Sequence, residues 1–369
     1  MRDLVVLVVI VVLVYLLQCI CWAPARAQVF LLEAEGPGRG KRGFLWSALK
    51  LTGYWANPLP PLQPLVISEW PEFELSAEGL CVGAAAEPVA WEQVTLTRSS
   101  GKLLANGSKI LQGGADQLKV YEELLLRVKR AKMKDRQKLI AAWLKKASDA
   151  EAARLRLEAF NRRTRWLELA ANLQFFLLFA MTPLAFYRFG SRALWPVLGV
   201  VLTISVLIAW KSGGVHKKFF PADSEARFKT VFGALLSPIH AIRVLDSLAH
   251  HLLDGFHPVA VAGAICSKQE FEAFAGEQLR AMTFSHSRKS WYAGQLQAAL
   301  EGTLEKNGIP PQRVLAAPER EGECVQYCPR CRAQYTKTRE ECADCGFTPL
   351  KDFGEKVTQP KPTVAAIRT

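Results

Sequence analysis

The sequence predicts an α+β membrane protein that carries soluble modules on membrane helices. Three observations lead to this fold class: long apolar runs, a stretch in which apolar and polar residues alternate, and two Cys-x-x-Cys pairs near the C-terminus. The chain has 369 residues, enough for two or three domains that each bury a core. In chain order we expect a membrane anchor, a small antiparallel β module with a long basic helix, a transmembrane helical hairpin, a mainly α domain and a cysteine module.

The first predicted element is a membrane anchor over residues 1–22. Residues 4–22 are a nearly unbroken apolar run, which as a helix would be about 28 Å long and close to the thickness of a bilayer. Ala25-Arg26-Ala27 also fits the small-x-small pattern of a signal-peptidase site before Gln28, so a cleaved signal peptide is the alternative. The run is longer than the apolar core of an ordinary signal peptide, which favours the retained anchor.

A proline-rich linker is predicted to follow the anchor, over residues 23–65. Its first part, GPGRGKRG (36–43), is basic and rich in glycine, which predicts a flexible segment. Its second part, WANPLPPLQPL (55–65), is expected to be extended, because proline restricts φ and has no backbone N–H to donate.

Residues 66–114 are predicted to form a small β module. Apolar and polar residues alternate here between turn residues such as Asn106-Gly107, which indicates three or four short antiparallel strands. The phrases ELSAEGLCV, AWEQVTL and GKLLANGSKIL resemble those of bacterial PH-like domains. This resemblance covers about residues 66–130 and implies a binding or scaffolding module without an active site.

The next segment, residues 115–165, is predicted to be helical and strongly basic. It carries fifteen basic and seven acidic residues, whereas residues 1–114 carry nine of each. A break near Ser148-Asp149, residue types that favour a helix N-terminus, would divide it into two helices. Its charge has three interpretations: contact with anionic lipid, contact with nucleic acid, or a solvated face that sets membrane topology. Nucleic acid is the least favoured, because no groove-reading motif accompanies the charge.

A transmembrane helical hairpin is predicted over residues 166–210. The apolar runs Leu167–Tyr187 and Ala193–Trp210 are separated by five residues, and aromatic residues stand near their ends, as is usual at membrane interfaces. Within the first run, Asn172 and Gln174 are polar. We expect them to form hydrogen bonds between helices.

Basic residues at the two ends of the hairpin predict its orientation. Five arginines precede it and three lysines follow it: Arg154, Arg156, Arg162, Arg163 and Arg165, then Lys211, Lys217 and Lys218. The connecting loop holds Arg188 and Arg192. The positive-inside rule therefore predicts an integral protein of the bacterial inner membrane, with both hairpin ends and the soluble modules in the cytoplasm. A retained anchor would then cross from an outside N-terminus to the inside.

Residues 217–318 are predicted to form a mainly helical domain in which four histidines cluster: His240, His250, His251 and His257. Asp246, His250 and Asp254 recur at four-residue intervals and, on an unbroken helix, would share one face as metal ligands. Without a fuller ligand set, ordinary capping and surface histidines are favoured. Cys266 is expected to be a buried small residue rather than a nucleophile. We predict no catalytic residue.

Four cysteines near the C-terminus, Cys328, Cys331, Cys342 and Cys345, form two Cys-x-x-Cys pairs ten residues apart. Each pair can form a knuckle whose amides stabilise thiolates, and four sulfurs complete a closed tetrahedral site. The phrases YCPRCRAQY and CADCGFTPL resemble the zinc-ribbon tails of bacterial proteins, which implies one structural Zn²⁺ on these four cysteines.

The ribbon is predicted to span residues 324–350, followed by a disordered tail over 351–369. Cys324 is expected not to be a ligand. A redox-active Cys-x-x-Cys is the alternative, but no βαβ pattern surrounds either pair.

Three classes of function remain open from the sequence. The favoured one is a non-enzymatic, membrane-anchored adaptor or scaffold whose zinc ribbon binds a protein partner. One alternative is a membrane enzyme of unknown reaction that uses the helices of residues 220–320. The other is a lipid- or ion-handling protein that uses the hairpin as more than an anchor.

Overall fold

The computed structural model describes residues 2–32, 43–44, 50–56, 63–67, 70–71, 73–83, 87–99, 101–284, 290–346 and 348–354. Within these residues the chain is mostly helical, with small antiparallel sheets. The chain divides into two compact units, each assembled from three separate stretches. The first unit comprises Met1–Pro71, Thr95–Arg127 and Glu151–Pro258, and the second comprises Glu72–Val94, Val128–Ala150 and Val259–Thr369.

The helices and strands are numbered here in chain order. The α-helices are α1 (Arg2–Gln18), α2 (Ala115–Arg130), α3 (Met133–Ala147), α4 (Ala150–Phe176), α5 (Thr182–Phe189), α6 (Leu194–Phe219), α7 (Ser224–Leu236), α8 (Pro238–Ala249), α9 (Pro258–Ile265), α10 (Lys268–Thr283), α11 (Trp291–Lys306) and α12 (Pro311–Leu315). The strands are β1 (Ile20–Leu32), β2 (Gly43–Phe44), β3 (Lys50–Ala56), β4 (Gln63–Ile67), β5 (Phe73–Leu75), β6 (Gly79–Val82), β7 (Val89–Ala90), β8 (Leu96–Ser99), β9 (Lys102–Ala105), β10 (Ser108–Gln112), β11 (Gln326–Tyr327), β12 (Gln334–Tyr335) and β13 (Lys351–Asp352).

The N-terminal sheet of the first unit lies where the sequence predicted the end of the anchor and a linker. Helix α1 ends at Gln18, and the long strand β1 pairs antiparallel with β2, β3 and β4. The ladder between β1 and β3 is irregular between Ala23 and Ala27, the stretch that contains Pro24, which cannot donate a backbone hydrogen bond. Composition alone predicted a linker because proline and glycine obscure the strand pattern. Most of GPGRGKRG (36–43) lies outside the described residues.

A continuous helical run from 150 to 219 joins α4, a π-helical turn (Leu177–Met181), α5, a 3-10 turn (Gly190–Ala193) and α6. The chain reverses near Gly190, whose φ of 69° suits a residue without a side chain. Gln174 and Ser205, on opposite sides of this turn, are in direct contact. Among the described residues, this run is the one helix that is long and apolar enough to cross a membrane, judged by length and composition.

Helix α1 packs beside this run within the first unit. The Tyr15 ring centroid lies 5.6 Å from that of Phe175 and 5.0 Å from that of Phe179. Tyr15 and Cys19 are buried together with Ile239 and Ile242 of α8. Most other large apolar side chains of α1 are exposed, so α1 has one packed side and a broad apolar outer surface.

The β-rich region contains two three-stranded antiparallel sheets, ordered β5-β6-β7 in the second unit and β10-β9-β8 in the first. Asn106-Gly107 forms the turn between β9 and β10, at the position predicted from the sequence. Helix α2 begins at Ala115, also as predicted, and the following helices break at Ser148-Asp149. A further break before α3 was not predicted.

The second unit is built from β5–β7, α3 and α9–α12, followed by the cysteine module. Trp91 is fully buried, and its indole N–H donates to the carbonyl oxygen of Ser76 at 3.0 Å. Helix α10 begins with a capping box formed by Ser267 and Glu270. The C-terminal sheet has the order β12-β11-β13, so Lys351–Asp352 belongs to the module rather than to a tail. Residues 355–369 of the predicted tail lie outside the described residues.

Candidate metal centre

Two similar turns position the four cysteines. In the first, the amide of Cys331 lies 3.5 Å from Cys328 Sγ, and in the second the amide of Cys345 lies 3.3 Å from Cys342 Sγ. Each turn closes with a backbone hydrogen bond to the carbonyl of its first cysteine, from Arg332 at 2.9 Å and from Gly346 at 3.1 Å. These are the knuckles that the Cys-x-x-Cys spacing predicts.

The residue that closes each knuckle adopts a left-handed conformation, with φ of 65° at Arg332 and 59° at Gly346. Glycine adopts this conformation without strain, whereas arginine does so at a cost. The Arg332 guanidinium donates to the carbonyl oxygen of Val314 at 3.0 Å. This bond offsets part of that cost and ties the first knuckle to the end of α12.

The distances between sulfurs match those of a closed metal site. The four Sγ atoms lie within 4.8 Å of one another, with Cys328 and Cys345 at 3.9 Å and Cys331 and Cys342 at 3.6 Å. Tetrahedral coordination with metal–sulfur bonds of about 2.3 Å places sulfurs about 3.8 Å apart. A disulfide would bring them to about 2.05 Å. The four cysteines can therefore hold a metal ion.

The Cys342 thiolate is stabilised by hydrogen bonds from groups other than the four cysteine side chains. The Tyr335 hydroxyl lies 3.2 Å from Cys342 Sγ and accepts a hydrogen bond from the amide of Ala343, also at 3.2 Å. Burial would raise the pKa of Cys342, but hydrogen bonds from Tyr335 and from the amides of Cys345 and Asp344 lower this pKa to about 7. The site thus stabilises at least one thiolate without a metal.

The pKa values of two other cysteines of the site, Cys328 and Cys345, are raised, so these thiols ionise less readily than Cys342. Burial raises the pKa of Cys328 to about 11, and burial together with the neighbouring sulfurs raises the pKa of Cys345 well above its usual range. Several thiolates this close repel one another, and a divalent cation would remove the repulsion. This donor set fits a cation that prefers sulfur ligands.

Arg280 of α10 also supports the first knuckle. Its guanidinium donates to the carbonyl oxygens of Arg330 at 3.2 Å and Val314 at 3.0 Å. Burial, reinforced by the nearby Arg332, lowers the pKa of Arg280 to about 10. The first knuckle is therefore fastened to the helices of its own unit, whereas Ala343 and Asp344 of the second knuckle are exposed.

In the part of the chain that the structure describes, these four cysteines are the one group of three or more potential metal ligands that converge. Cys324 is not part of the group. Tyr335, Arg280 and Arg332 were not predicted. No sequence pattern marks them, because each acts through contacts made by folding.

The histidine cluster does not form a metal site in the described residues. Helix α8 ends at Ala249, so the four-residue spacing of Asp246, His250 and Asp254 no longer defines one face. Asp246 forms an ion pair with Arg243, and Asp254 lies 2.8 Å from His251 Nδ1.

The expectation of a surface position is wrong for His257. This side chain is 4 % exposed, and its ring centroid lies 4.7 Å from that of Trp70. Burial lowers the pKa of His257 to about 3, so the ring is neutral near pH 7. Burial also raises the pKa of Cys266 to about 12, with Glu270 adding to the effect, which makes this thiol a poor nucleophile.

Comparison of the chain with protein-family profiles, with curated proteins and with solved structures gives no match. The candidate metal centre therefore rests on the geometry of its four cysteines.

Proposed function

We propose that the protein is a membrane-anchored adaptor or scaffold whose C-terminal zinc ribbon binds a protein partner on the cytoplasmic side of the inner membrane. The observation that carries the proposal is the set of four sulfurs at distances suited to one tetrahedral ion. A site closed by four protein ligands has no coordination position for a substrate, so its role is structural.

Zinc is the ion that this donor set favours. Four thiolates in tetrahedral geometry select zinc or an iron–sulfur centre over magnesium or calcium, which prefer oxygen ligands. When bound, zinc would cross-link the two knuckles and supply folding free energy to a small module. Cys328, Cys331, Cys342 and Cys345 would hold it, and the Tyr335 hydroxyl would donate to Cys342 Sγ.

Exposed apolar side chains support the membrane part of the proposal. Near the two ends of the hairpin arms Tyr187, Trp195 and Trp210 are 70–78 % exposed, which is unfavourable in water and usual at a membrane interface. The Lys211 ammonium lies 4.9 Å from the centroid of the Trp210 ring, a cation–π pair suited to the headgroup region.

The packing of α1 supports a retained anchor with its N-terminus outside. Val8 lies in a groove with Phe186, near the turn of the hairpin. Tyr15 contacts Phe175, which lies nearer the open end of the hairpin, where basic residues flank the two arms. Helix α1 thus runs from the turn towards the base. Cleavage between Ala27 and Gln28 would cut through the paired strand β1, so the ladder also favours the intact chain.

Two arginines of residues 115–165 are bonded within the protein, which reduces the number of basic residues available to contact anionic lipid. Arg136 and Arg156 donate to backbone carbonyl oxygens, so they are engaged within the protein. Arg162, Arg163 and Arg165 are exposed beside the hairpin base. We propose that these three contact anionic headgroups, where each basic residue contributes about 1 kcal/mol.

Membrane topology provides the first test. Reporter domains inserted in the full chain at Gly114, before the hairpin, and at the exposed Gly322, after it, should both read as cytoplasmic, and the mature protein should begin before Gln28. An extracytoplasmic signal at Gly114, or a mature N-terminus at Gln28, would contradict the proposed anchor.

Partner binding provides the second test. Tagged full-length protein and its Cys342→Ser variant are purified from membranes in mild detergent after crosslinking in cells, with Cys324→Ser as the matched control. We expect the same protein to be crosslinked to the wild type and to the Cys324→Ser control, and to be lost from Cys342→Ser. Retention by the metal-site variant would show that the ribbon does not bind the partner.

A further inference from the structure

Helix α7 exposes a row of large apolar side chains. Phe228, Phe232, Leu235 and Leu236 are 43–66 % exposed, and the rings of Phe228 and Phe232 stack with centroids 5.4 Å apart. Their spacing places them on one side of the helix, opposite the buried Thr230 and Ala234. Such a contiguous apolar row is unfavourable in water.

Helix α7 runs back along α6, within the first unit. Phe219 ends α6 and Ser224 begins α7, so the chain turns sharply between them. Val231 packs against Gly213, where a side chain on the glycine would lie only 3.1 Å from the valine methyl group. At about 1.5 Å per residue, the end of α7 reaches about 7 Å further along α6. The end of α7 therefore lies beside Ile208 of α6, further from the C-terminal end of α6 than the exposed Trp210.

Polarity changes along α7 in the same direction. The first turn and a half carries charge, with Glu225 and Lys229 forming an exposed ion pair of 2.6 Å. Residues 230–242, which contain the rest of α7, the turn and the start of α8, contain no Asp, Glu, Lys or Arg. The charged start of α7 thus lies near the C-terminal end of α6, and the uncharged end of α7 lies beside the apolar middle of α6, within the candidate membrane span.

The turn between α7 and α8 makes several of its backbone hydrogen bonds internally. The Ser237 amide donates to the carbonyl oxygen of Gly233 at 2.9 Å, and the Ser237 hydroxyl accepts from the His240 amide at 3.3 Å. Pro238 occupies the first position of α8 and has no N–H to satisfy. Backbone that enters an apolar medium must make its hydrogen bonds within the protein, and these contacts meet that need for the Ser237 and His240 amides.

The other side of the turn packs on the proposed anchor. Ile239 and Ile242, in the first part of α8, are buried with Tyr15 of α1 and with Cys19, the residue after α1. The α7–α8 turn therefore lies beside the apolar part of α1 as well as beside α6, and both are candidate membrane elements.

We propose that α7 and the start of α8 form a re-entrant hairpin that inserts into the cytoplasmic leaflet, with Phe228, Phe232, Leu235 and Leu236 in contact with acyl chains. The inference rests on the proposed membrane function of α6. The exposed apolar row continues the apolar surface of α6, and the pair of Glu225 and Lys229 remains at the headgroups. The occupant of this face is lipid of the same bilayer, not a soluble partner.

Photocrosslinking tests the proposal on the full chain. A benzoylphenylalanine side chain replaces one residue at a time: Phe232 as the test, Leu202 in the middle of α6 as the membrane control, and Glu225 in the first turn of α7 as the aqueous control. Phe232 and Leu202 are both exposed, 46 % and 43 %, so the larger side chain points away from the packed interior. Each variant is reconstituted in vesicles of phosphatidylethanolamine and phosphatidylglycerol, irradiated and analysed by intact-mass spectrometry.

We expect the mass of one phospholipid to be added at Phe232 and at Leu202, and not at Glu225. A lipid adduct at Leu202 with none at Phe232 would overturn the re-entrant hairpin but would still support a membrane-spanning α6. A crosslinked dimer at Phe232 would also overturn it, since a second copy of the chain would then cover the face. No adduct at Leu202 would instead contradict the proposed membrane function itself.

Discussion

The side-chain amide of Gln174 donates a hydrogen bond of 2.7 Å to the hydroxyl of Ser205, and neither side chain is exposed. The Ser205 hydroxyl in turn donates to the carbonyl oxygen of Val201 at 3.1 Å. This pair joins α4 to α6 across the reversal at Gly190. The expected hydrogen bond between helices is confirmed for Gln174.

The pair predicts a measurable coupling between the two helices. Gln174→Ala and Ser205→Ala should each destabilise the hairpin, and their double-mutant cycle should show a coupling of about 0.6 kcal/mol, with about 1.7 kcal/mol as an upper limit. Unfolding of the full chain in bilayers measures it. Thr203→Ala is the matched control, since Thr203 is exposed and bonds within its own helix. Additive effects of Gln174→Ala and Ser205→Ala would contradict the prediction.

Removal of one thiolate should release the metal. We expect about one zinc per chain in the purified wild type and in Cys324→Ser, and little or none in Cys342→Ser, because a closed site needs all four ligands. Elemental analysis of the full chain measures the metal content. Equal zinc in the wild type and in Cys342→Ser would exclude this site, and so would a disulfide between Cys328 and Cys331 in freshly prepared protein.

Tyr335→Phe should weaken metal binding without abolishing it. The substitution removes the hydroxyl that contacts Cys342 Sγ, while the ring and the strand pairing of β12 remain. Loss of such an outer partner typically lowers metal affinity by roughly 10–100-fold. Competition with a chromophoric chelator measures the affinity, and an unchanged value would show that the hydroxyl does not support the site.

Arg136→Met should destabilise the second unit. Arg136 is 8 % exposed and donates to the carbonyl oxygens of Ala77 at 2.8 Å and Ala131 at 3.1 Å. Methionine keeps the apolar stem but leaves these acceptors unpaired, which costs about 1–3 kcal/mol for a buried group. The matched control is Glu92→Gln, whose side chain is 74 % exposed and pairs with the same guanidinium. Its effect should be much smaller, because the exposed carboxylate is screened by water, and equal losses from both variants would contradict the assignment.

The buried His257 should make stability fall in acid. Its pKa is about 3 in the folded chain, below the ordinary value of 6.5, so below pH 6.5 the unfolded state binds a proton that the folded state does not. The free energy of unfolding is therefore unaffected by His257 above pH 6.5 and decreases as the pH falls below 6.5. The loss is about 2 kcal/mol between pH 7.5 and pH 5. Unfolding of the wild type and of His257→Phe over this range measures it, and the variant should lose less stability. Parallel pH profiles would contradict the prediction.

Local patterns in the sequence predicted several elements correctly because those elements depend on neighbouring residues. The Cys-x-x-Cys spacing predicted both knuckles, Asn106-Gly107 predicted a turn, and Ser148-Asp149 predicted a helix boundary. The apolar runs around Gly190 predicted two helical arms, and the polar Gln174 predicted a bond between them. In each case the chemistry of a few adjacent residues restricts the backbone.

The sequence by itself determined where helices, knuckles and apolar runs occur, because these follow from spacing and composition. Only the tertiary structure decided which distant residues meet. It paired β1 with strands in a region that composition predicted to be a linker, buried His257 against Trp70, and brought Tyr335 to Cys342. It also turned α7 back along α6 through the contact of Val231 with Gly213. Such contacts depend on how whole elements pack. Periodicity in the sequence can mark which face of an element is buried, but it does not show which distant element that face packs against.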